Sequence, residues 1–206
     1  MEAGAATVHL HTRDPETGKP VHRVELFKET IHLIQEECDV IMNTTTGAAP
    51  EVPLDERKGI IPVLSADPMV KPEMASLNCS SLNVGFLNRK KGEVILNDVQ
   101  MNPWESLLSF ADTMKHCSVV AELEIYDAAM INNAVVLRSL DALEEPLHSQ
   151  FVFDVLRGMQ PTINYLNIPQ GFNPPRCRVV DVCRWSERLY PRPHSNSSGW
   201  KCESRF

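Results

Sequence analysis

The feature that most constrains the fold is a regular alternation of short β-prone runs with helical repeats over the first 156 residues. Strands that alternate with helices in this way form parallel sheets with right-handed crossovers. The alternation predicts an α/β protein, either a doubly wound sheet or a (β/α)8 barrel, with its site at the carboxyl ends of the strands. No GxGxxG or Walker loop follows a strand, which disfavours a nucleotide-binding sheet. The predicted strands cover residues 7–13, 40–44, 74–78, 119–126 and 146–156, and the predicted helices cover residues 24–38, 54–64, 103–116 and 127–143.

The composition excludes several functional classes. With 20 basic and 27 acidic residues, the chain has a formal charge of −7 and no surplus of cations for a phosphate backbone, so no nucleic-acid partner is expected. No apolar run reaches the length of a membrane helix and no signal peptide is recognisable, so we expect no membrane partner. The expected location is the cytoplasm, with the mitochondrial matrix as the alternative, where Cys38, Cys79 and Cys117 are reduced.

The last 31 residues differ in composition from the rest of the chain. They carry seven basic and three acidic side chains, a net charge of +4, which leaves −11 for residues 1–175. They also hold three of the six cysteines and two of the three tryptophans. The chain is therefore predicted to divide into an incomplete barrel domain over residues 1–168 and a poorly ordered tail over residues 169–206.

His9 and His11 form the strongest candidate metal site. Residues i and i+2 of a strand point to the same side, so both imidazoles of this HxH sequence can reach one ion, and zinc is the metal that such ligands favour. The turn that follows leaves room for water or substrate. The alternative is a chance pair of histidines at the polar edge of a sheet.

Glu122 and Glu124 occupy one face of the predicted strand VVAELEIY, together with Tyr126. A strand inside a parallel sheet is almost wholly apolar, so two carboxylates there need a cation, a metal or a polar substrate. The alternative is an edge strand whose outer face meets water. We interpret the two carboxylates as candidate catalytic groups.

Loop residues at the ends of two strands are candidates for substrate binding. Hydroxyls and a backbone freed by glycine can hold a carboxylate or carbonyl oxygen, although the same residues suit an ordinary turn. Asn78 ends the next predicted strand and has the same placement. Arg57 and Lys58 lie in a helix that looks solvated, so their charges are expected at the surface. The candidates after the second strand are Thr45, Thr46 and Gly47.

Five segments of the chain resemble the β-keto acid cleavage enzyme family. The resemblance covers about residues 2–168 and implies a (β/α)8 TIM barrel with one zinc ion at its carboxyl-end mouth. About five of the eight strands have a counterpart here, so the predicted fold is a partial barrel of parallel strands with intervening helices. In chain order the segments are EAGAATVHLHTRDPETGKP, VIMNTTTG, DER, MASLN and AELEIYD.

The resemblance also implies roles for individual residues. His9 and His11 match the family's two zinc histidines. Glu122 and Glu124 match an acidic strand, one of whose carboxylates contacts the substrate. Thr45, beside Thr46 and Gly47, matches the family's Ser/Thr position that helps to hold the substrate.

The activity implied by the resemblance is a Claisen-type acyl transfer. A β-keto acid and acetyl-CoA are converted into a CoA thioester and acetoacetate, with Zn2+ as a Lewis acid on the keto oxygen. The expected partners are therefore a small β-keto acid and acetyl-CoA. Two alternatives stay open: a non-catalytic truncated isoform or fragment, and an HxH metallohydrolase with a barrel fold.

The chain departs from the family pattern at both ends. Family chains have an additional strand and helix before the first matched segment, and a later Glu-Asp whose Glu is the third zinc ligand; neither has a match here. Two imidazoles alone hold zinc weakly, so this chain by itself is expected to bind zinc poorly and to show no detectable turnover. An open barrel exposes strand edges and apolar helix faces, which favours a homo-oligomer or other self-association.

A change of reading frame from about Pro175 onwards is our hypothesis for the unusual tail. Back-translated and read one nucleotide later, residues 200–206 permit the string GNVRVGF, which is typical of the family just before its Glu-Asp. The charge, cysteine and tryptophan content of the tail would then be that of unselected sequence. The alternative is a genuinely different tail.

Overall fold

The predicted alternation of strands and helices is present in the structure, a computed structural model. It describes residues 5–48, 52–88, 90–153, 155, 156, 158–160 and 162, with the backbone alone for residues 96, 97 and 177–184. In chain order the elements are β1 (Thr7–Leu10), α1 (Val24–Glu37), β2 (Ile41–Thr44), α2 (Leu54–Ser65), β3 (Met74–Asn78), β4 (Leu82–Asn88), β5 (Glu93–Gln100), α3 (Trp104–Cys117), β6 (Val120–Ile125), α4 (Ala128–Ser139), β7 (Leu147–Phe153) and β8 (Cys177–Arg184).

One sheet of parallel strands organises the molecule. Its strand order is β1-β2-β3-β6-β7-β8, and every neighbouring pair runs parallel. Helices connect the successive strands of this sheet from β1 to β7, so the architecture is a partial (β/α)8 barrel and the predicted fold class is confirmed. Because all strands run in one direction, their carboxyl ends meet at the same rim, where α/β barrels place their sites.

The four helices form where the apolar residues recur every three or four positions. The α1 side chains Phe27 and Ile31 are fully buried and pack with Met42 of β2. The α3 side chains Leu107 and Phe110 pack in a larger core on the other strands. The helices therefore cover the outer face of the sheet with their apolar sides, as the periodicity predicts.

Several predicted elements end earlier in the structure than in the sequence analysis, the first strand and the last helix among them. The first strand stops at Leu10 because Thr12 turns away and donates its hydroxyl to the Val21 carbonyl at 2.6 Å. The last helix stops at Ser139, and Asp141 then adopts a positive φ of 55°, which ends helical geometry. The strand is therefore too short to include His11, which lies just beyond it.

A β-hairpin formed by β4 and β5 has no counterpart in the sequence analysis. It is antiparallel and separate from the main sheet, between β3 and α3. The Asn88 side chain accepts hydrogen bonds from the backbone of Lys90 and Lys91, and Gly92 has a φ of +69°. This Asn and Gly turn chemistry was a usable signal for the hairpin.

The parallel sheet continues into the segment assigned to the tail. Backbone pairing places β8 parallel to β7, so a strand lies within residues 177–184. The division at residue 168 and the hypothesis of a frame change stay predictions, and the rest of the predicted tail lies outside the described residues. Among the described helices, none combines the length and the apolar character needed to cross a membrane.

Candidate active site

The two histidines of the HxH sequence lie at the carboxyl end of β1 and approach each other closely. His9 is the third residue of β1, and His11 follows its last residue. Their Nε2 atoms lie 3.1 Å apart. The His9 side chain is 28% exposed, so an ion can reach it from solvent. The structure therefore brings the two predicted metal ligands together.

Both imidazoles are in the neutral form at pH 7, which is the form that binds metal. Partial burial, followed by the charge of His11, lowers the pKa of His9 to about 4, and an interaction with the Asn43 side chain opposes this in part. Partial burial, followed by the nearby charges of Arg13 and His22, also lowers the pKa of His11. Neither ring has to lose a proton before it can bind an ion.

The separation of the two Nε2 atoms fits a shared zinc ion. Zinc–nitrogen bonds of about 2.0–2.1 Å in a tetrahedral site place two ligand nitrogens about 3.3 Å apart. The observed separation is 3.1 Å. His9 and His11 are therefore the residues that would hold zinc at this position.

Glu122 lies beside the other nitrogen of the His9 ring. Its Oε2 atom is 3.9 Å from His9 Nδ1 and accepts a 2.6 Å hydrogen bond from Asn43 Nδ2. Glu122 is only 4% exposed. Metal-bound histidines usually direct their second ring nitrogen to a carboxylate or a carbonyl, which fixes the tautomer and the ring orientation. Glu122 lies near this nitrogen of His9, at a distance longer than a hydrogen bond.

The acidic pair offers a second way of binding a metal. Ligand atoms of His9, Glu122 and Glu124 all lie within 4.8 Å of one another. The carboxylates can therefore act either as direct ligands or as acceptors behind the His9 ring. The short hydrogen bond from Asn43 and the position of Glu122 beside Nδ1 favour the second role for Glu122.

Glu124 lies nearer than Glu122 to the carboxyl end of β6. Its Oε2 atom accepts a 3.1 Å hydrogen bond from the Tyr126 hydroxyl. On the neighbouring strands, Asn78 and Gln150 are the residues in register with Glu124. A row of polar side chains thus crosses three strands just below the rim of the sheet.

The loop after β2 is held in place by its own hydroxyls. Thr45 Oγ1 accepts a 2.9 Å hydrogen bond from the Gly47 amide, and Thr46 Oγ1 donates a 2.7 Å hydrogen bond to the Ser76 carbonyl. Both threonines are buried. Thr46 therefore has a structural role, because its hydroxyl donates its hydrogen bond to the neighbouring strand.

Asn78 ends β3 and carries a buried polar atom that has no partner among the described residues. Its Oδ1 atom makes no hydrogen bond with any described residue, although the side chain is almost fully buried. Its backbone carbonyl accepts a 2.9 Å hydrogen bond from Asn102 Nδ2. Buried amide oxygens are normally paired, so Asn78 Oδ1 is an unusual buried acceptor at this rim.

The comparison with protein families agrees with this arrangement. Residues 1–188 match the family model described as beta-keto acid cleavage enzyme. The chain belongs to the β-keto acid cleavage enzyme family. The matched range extends past residue 168, where the sequence analysis placed the end of the family resemblance.

Curated members of the β-keto acid cleavage enzyme family are about 30% identical to this chain. The 3-keto-5-aminohexanoate cleavage enzyme of Acetoanaerobium sticklandii is 33% identical over 162 residues, which cover 78% of this chain and 53% of the relative. The 3,5-dioxohexanoate:acetyl-CoA acetone transferase of Paraburkholderia graminis is 30% identical over 169 residues, covering 76% of this chain and 53% of the relative. The chain therefore spans about half the length of the curated relatives it matches.

A solved structure supports the fold assigned to this family member. The apo structure of ObcA superposes with a TM-score of 0.58 at 20% sequence identity, covering 74% of this chain and 33% of that chain. At this identity the similarity concerns the fold alone. It agrees with the partial barrel described above.

Arg57 corrects one interpretation of the sequence analysis. Its side chain was expected at the surface but is only 6% exposed. The guanidinium donates to the Thr46 carbonyl at 2.9 Å, the Met101 carbonyl at 3.1 Å and Asn102 Oδ1 at 2.9 Å. Arg57 therefore ties the loop after β2 to the segment that follows β5.

Asn43 is the main site residue that the sequence analysis missed. It lies in register with His9 on the adjacent strand and bonds to Glu122. The segment VIMNT was interpreted as an apolar strand, yet Asn43 is a polar residue within it. The argument applied to Glu122, that a polar group inside a parallel sheet needs a partner, would have identified Asn43 as well.

Proposed function

We propose that this chain carries part of the active site of a zinc-dependent β-keto acid cleavage enzyme. The reaction converts a β-keto acid and acetyl-CoA into a CoA thioester and acetoacetate. The observation that supports the proposal most directly is the 3.1 Å separation of His9 Nε2 and His11 Nε2 at the carboxyl end of β1. Active sites of α/β barrels lie at this end of the strands.

Zinc held by His9 and His11 supplies a Lewis acid for the keto oxygen of the substrate. The protein keeps both imidazoles neutral through partial burial. Asn43 fixes Glu122 by a 2.6 Å hydrogen bond, and the Glu122 carboxylate, 3.9 Å from His9 Nδ1, is proposed to orient the zinc-bound His9 ring. These residues prepare the ligand pair before the substrate arrives.

The substrate is proposed to bind along the polar row beside the histidines. Glu124, whose carboxylate is oriented by the Tyr126 hydroxyl, is the candidate for moving a proton. Asn78 Oδ1 is a buried acceptor without a partner among the described residues, and it is the candidate for binding a donor on the substrate. Thr45 lies at the rim beside Gly47, where it can contact the carboxylate of a β-keto acid.

The names of the relatives support the substrate class. Besides the enzyme of Paraburkholderia graminis, they include the 3-dehydrocarnitine:acetyl-CoA trimethylamine transferase of Rhizobium meliloti and the 3-oxoadipate:acetyl-CoA acetyltransferase of Cupriavidus necator. All three names pair a carboxylic acid that carries a 3-oxo group with acetyl-CoA. We assign the same pair of reactants, a β-keto acid and acetyl-CoA, to this chain.

The proposal is tested by acetoacetate formation at saturating zinc. The sequence analysis predicts no detectable turnover because two imidazoles bind zinc weakly, so zinc is added until the signal no longer rises, which removes that limit. The full chain is incubated with acetyl-CoA and a panel of β-keto acids, and acetoacetate and acyl-CoA products are quantified by mass spectrometry. We expect both products in equal amounts from at least one acid, and their loss in His9→Ala but not in the surface variant His32→Ala.

The other outcomes separate the alternatives. A folded chain that makes no acetoacetate from any acid at saturating zinc contradicts the proposal and favours a non-catalytic isoform or fragment. Hydrolysis of an ester or amide without CoA contradicts it in favour of an HxH metallohydrolase. Product formation that survives His9→Ala also contradicts it, because the metal pair would then be dispensable.

A further inference from the structure

A cavity of about 260 Å3 lies between the start of α2, the end of β5 and the start of α3. None of the histidines or acidic residues of the candidate active site lines it. Its apolar wall includes Leu54, Met101 and Pro103. Its polar wall is formed by Arg57, Gln100 and Ser106. The cavity therefore joins an apolar surface to a cationic one.

Arg57 brings a buried positive charge to this cavity. The side chain is 6% exposed, and its hydrogen bonds go to two backbone carbonyls and the amide oxygen of Asn102. Phe110 lies against the guanidinium, with 5.2 Å from Cζ to the ring centroid. Among the described residues no carboxylate lies within 4 Å of the guanidinium. A buried charge without a counter-ion is costly and attracts an anion.

The donor capacity of Arg57 is not used up by the protein. A guanidinium has five N–H groups. Three of them are engaged, one each on Nε, Nη1 and Nη2. One N–H therefore remains on each terminal nitrogen, and such a pair suits the two oxygens of a carboxylate.

Ser106 and Gln100 add two polar groups to the same wall. Ser106 is 5% exposed, and its hydroxyl makes no hydrogen bond with any residue that the structure describes. The half-buried Gln100 amide likewise has no hydrogen-bond partner in the described part of the chain. Ser106 lines the cavity, so its hydroxyl can hydrogen-bond to a ligand there.

We propose that this cavity is a binding site for a small organic carboxylate. The carboxylate lies against Arg57, Ser106 and Gln100, and the carbon chain lies against Leu54 and Met101. The volume is below the range of about 300–1,000 Å3 typical of drug-sized ligands, so the ligand is a short-chain acid. The apolar wall favours a carboxylate with a carbon chain over inorganic phosphate. The site requires no metal and is independent of the proposed function.

Binding is tested on the zinc-free full chain with three probes: pentanoate, 1-pentanol and inorganic phosphate. Isothermal titration measures the affinity, and the shift of the melting temperature provides a second measurement. We expect pentanoate to bind at least tenfold more tightly than 1-pentanol, which lacks the charge, and than phosphate, which lacks the chain. Equal or tighter binding of either control probe, or no binding of pentanoate, overturns the proposal.

Two variants locate the bound carboxylate. Gln100→Glu places a negative charge on the polar wall, and Ser106→Leu fills part of the cavity, so each is expected to weaken pentanoate binding at least tenfold. Gln35→Glu, on the exposed side of α1, is the matched control for charge and should bind as the wild type does. Substitution of Arg57 is avoided because it also holds two loops together.

The variant His9→Ala separates this site from the candidate active site. Because no histidine lines the cavity, His9→Ala is expected to leave pentanoate binding unchanged. Loss of binding in His9→Ala, or unchanged binding in both Gln100→Glu and Ser106→Leu, would mean that the carboxylate binds elsewhere and would overturn the proposal. Failure here leaves acetoacetate formation as a separate test of the proposed function.

Discussion

Asn43 on β2 donates a 2.6 Å hydrogen bond to the Glu122 carboxylate on β6, although 79 positions separate the two residues in the chain. Strand β3 lies between β2 and β6 in the sheet, so the bond spans a strand. The same carboxylate oxygen lies 3.9 Å from His9 Nδ1. Asn43 therefore determines where Glu122 lies relative to the ring of a proposed zinc ligand.

Asn43→Leu is expected to weaken zinc binding by about 10–100-fold, the usual cost of losing a residue that orients a metal ligand. The variant removes the donor that holds the Glu122 carboxylate in its position beside the His9 ring. Competition with a chromogenic chelator measures the zinc affinity. Asn133→Leu, which removes a donor to the Cys79 carbonyl, is the control. If both variants bind zinc as the wild type does, Asn43 has no positioning role.

Arg57→Met is expected to lower the free energy of unfolding by about 3 kcal/mol or more, because three oxygens lose a charged donor in a buried site. Denaturant titration followed by circular dichroism measures this change. The neighbouring Lys58, whose side chain is 28% exposed and lies 3.6 Å from Asp55, provides the control. Lys58→Met should lower the free energy of unfolding by less than about 1 kcal/mol. Equal effects of the two substitutions would mean that the buried contacts of Arg57 contribute little.

His22 is expected to make the fold less stable as the pH falls. Burial lowers the pKa of His22 below its usual value of 6.5, against a partial opposing effect of its hydrogen bond to the Arg57 carbonyl. Below pH 6.5 the unfolded chain takes up a proton that folded His22 resists. The free energy of unfolding therefore falls as the pH falls. His22→Gln should reduce this dependence between pH 7 and pH 5.

The pH dependence is measured from urea titrations at several pH values. His9 and His11 titrate in the same direction, so the relevant quantity is the difference between His22→Gln and the wild type. His116→Gln, at an exposed position on α3, controls for the loss of a histidine. A wild-type slope that is retained in His22→Gln would contradict the assignment.

Cys79 is expected to react with thiol reagents much more slowly than Cys38 and Cys117 in the folded chain. It is completely buried, and burial followed by the charge of Glu124 raises the pKa of its thiol far above the usual value. The reactive thiolate is therefore scarce as well as inaccessible. Peptide mass spectrometry after brief treatment with iodoacetamide measures each cysteine separately. Equal labelling of Cys79 and Cys38 would show that β3 opens easily.

The strand and helix pattern was predictable because each element carries its own local signal. The apolar repeat of α1 and the alternation in Thr7–Leu10 are set by which face of each element is buried, and this can be read from neighbouring residues. The HxH spacing also places its two rings by local geometry alone. The hairpin was missed although its turn residues, Asn88 and Gly92, were recognisable signals.

The less predictable features depend on contacts between distant segments. Arg57 is buried because Thr46, Met101 and Asn102 supply oxygens from two other loops. Nothing within its own helix indicates that these oxygens will surround it. The bond between Asn43 and Glu122 likewise exists because the sheet places β6 next to β3 rather than next to β5. Strand order is a property of the whole chain and does not follow from the pattern of any single segment.

X-ray absorption at the zinc edge tests the central claim, that His9 and His11 share one zinc ion, most directly. The full chain, at a concentration well above its zinc dissociation constant, is loaded with one equivalent of zinc so that weaker secondary sites stay largely empty. We expect two imidazole ligands with zinc–nitrogen distances of about 2.0–2.1 Å, and the loss of the imidazole signal in His9→Ala. The six cysteines of the chain are the competing ligands. A spectrum dominated by sulfur at about 2.3 Å, or one unchanged in His9→Ala, would contradict the account.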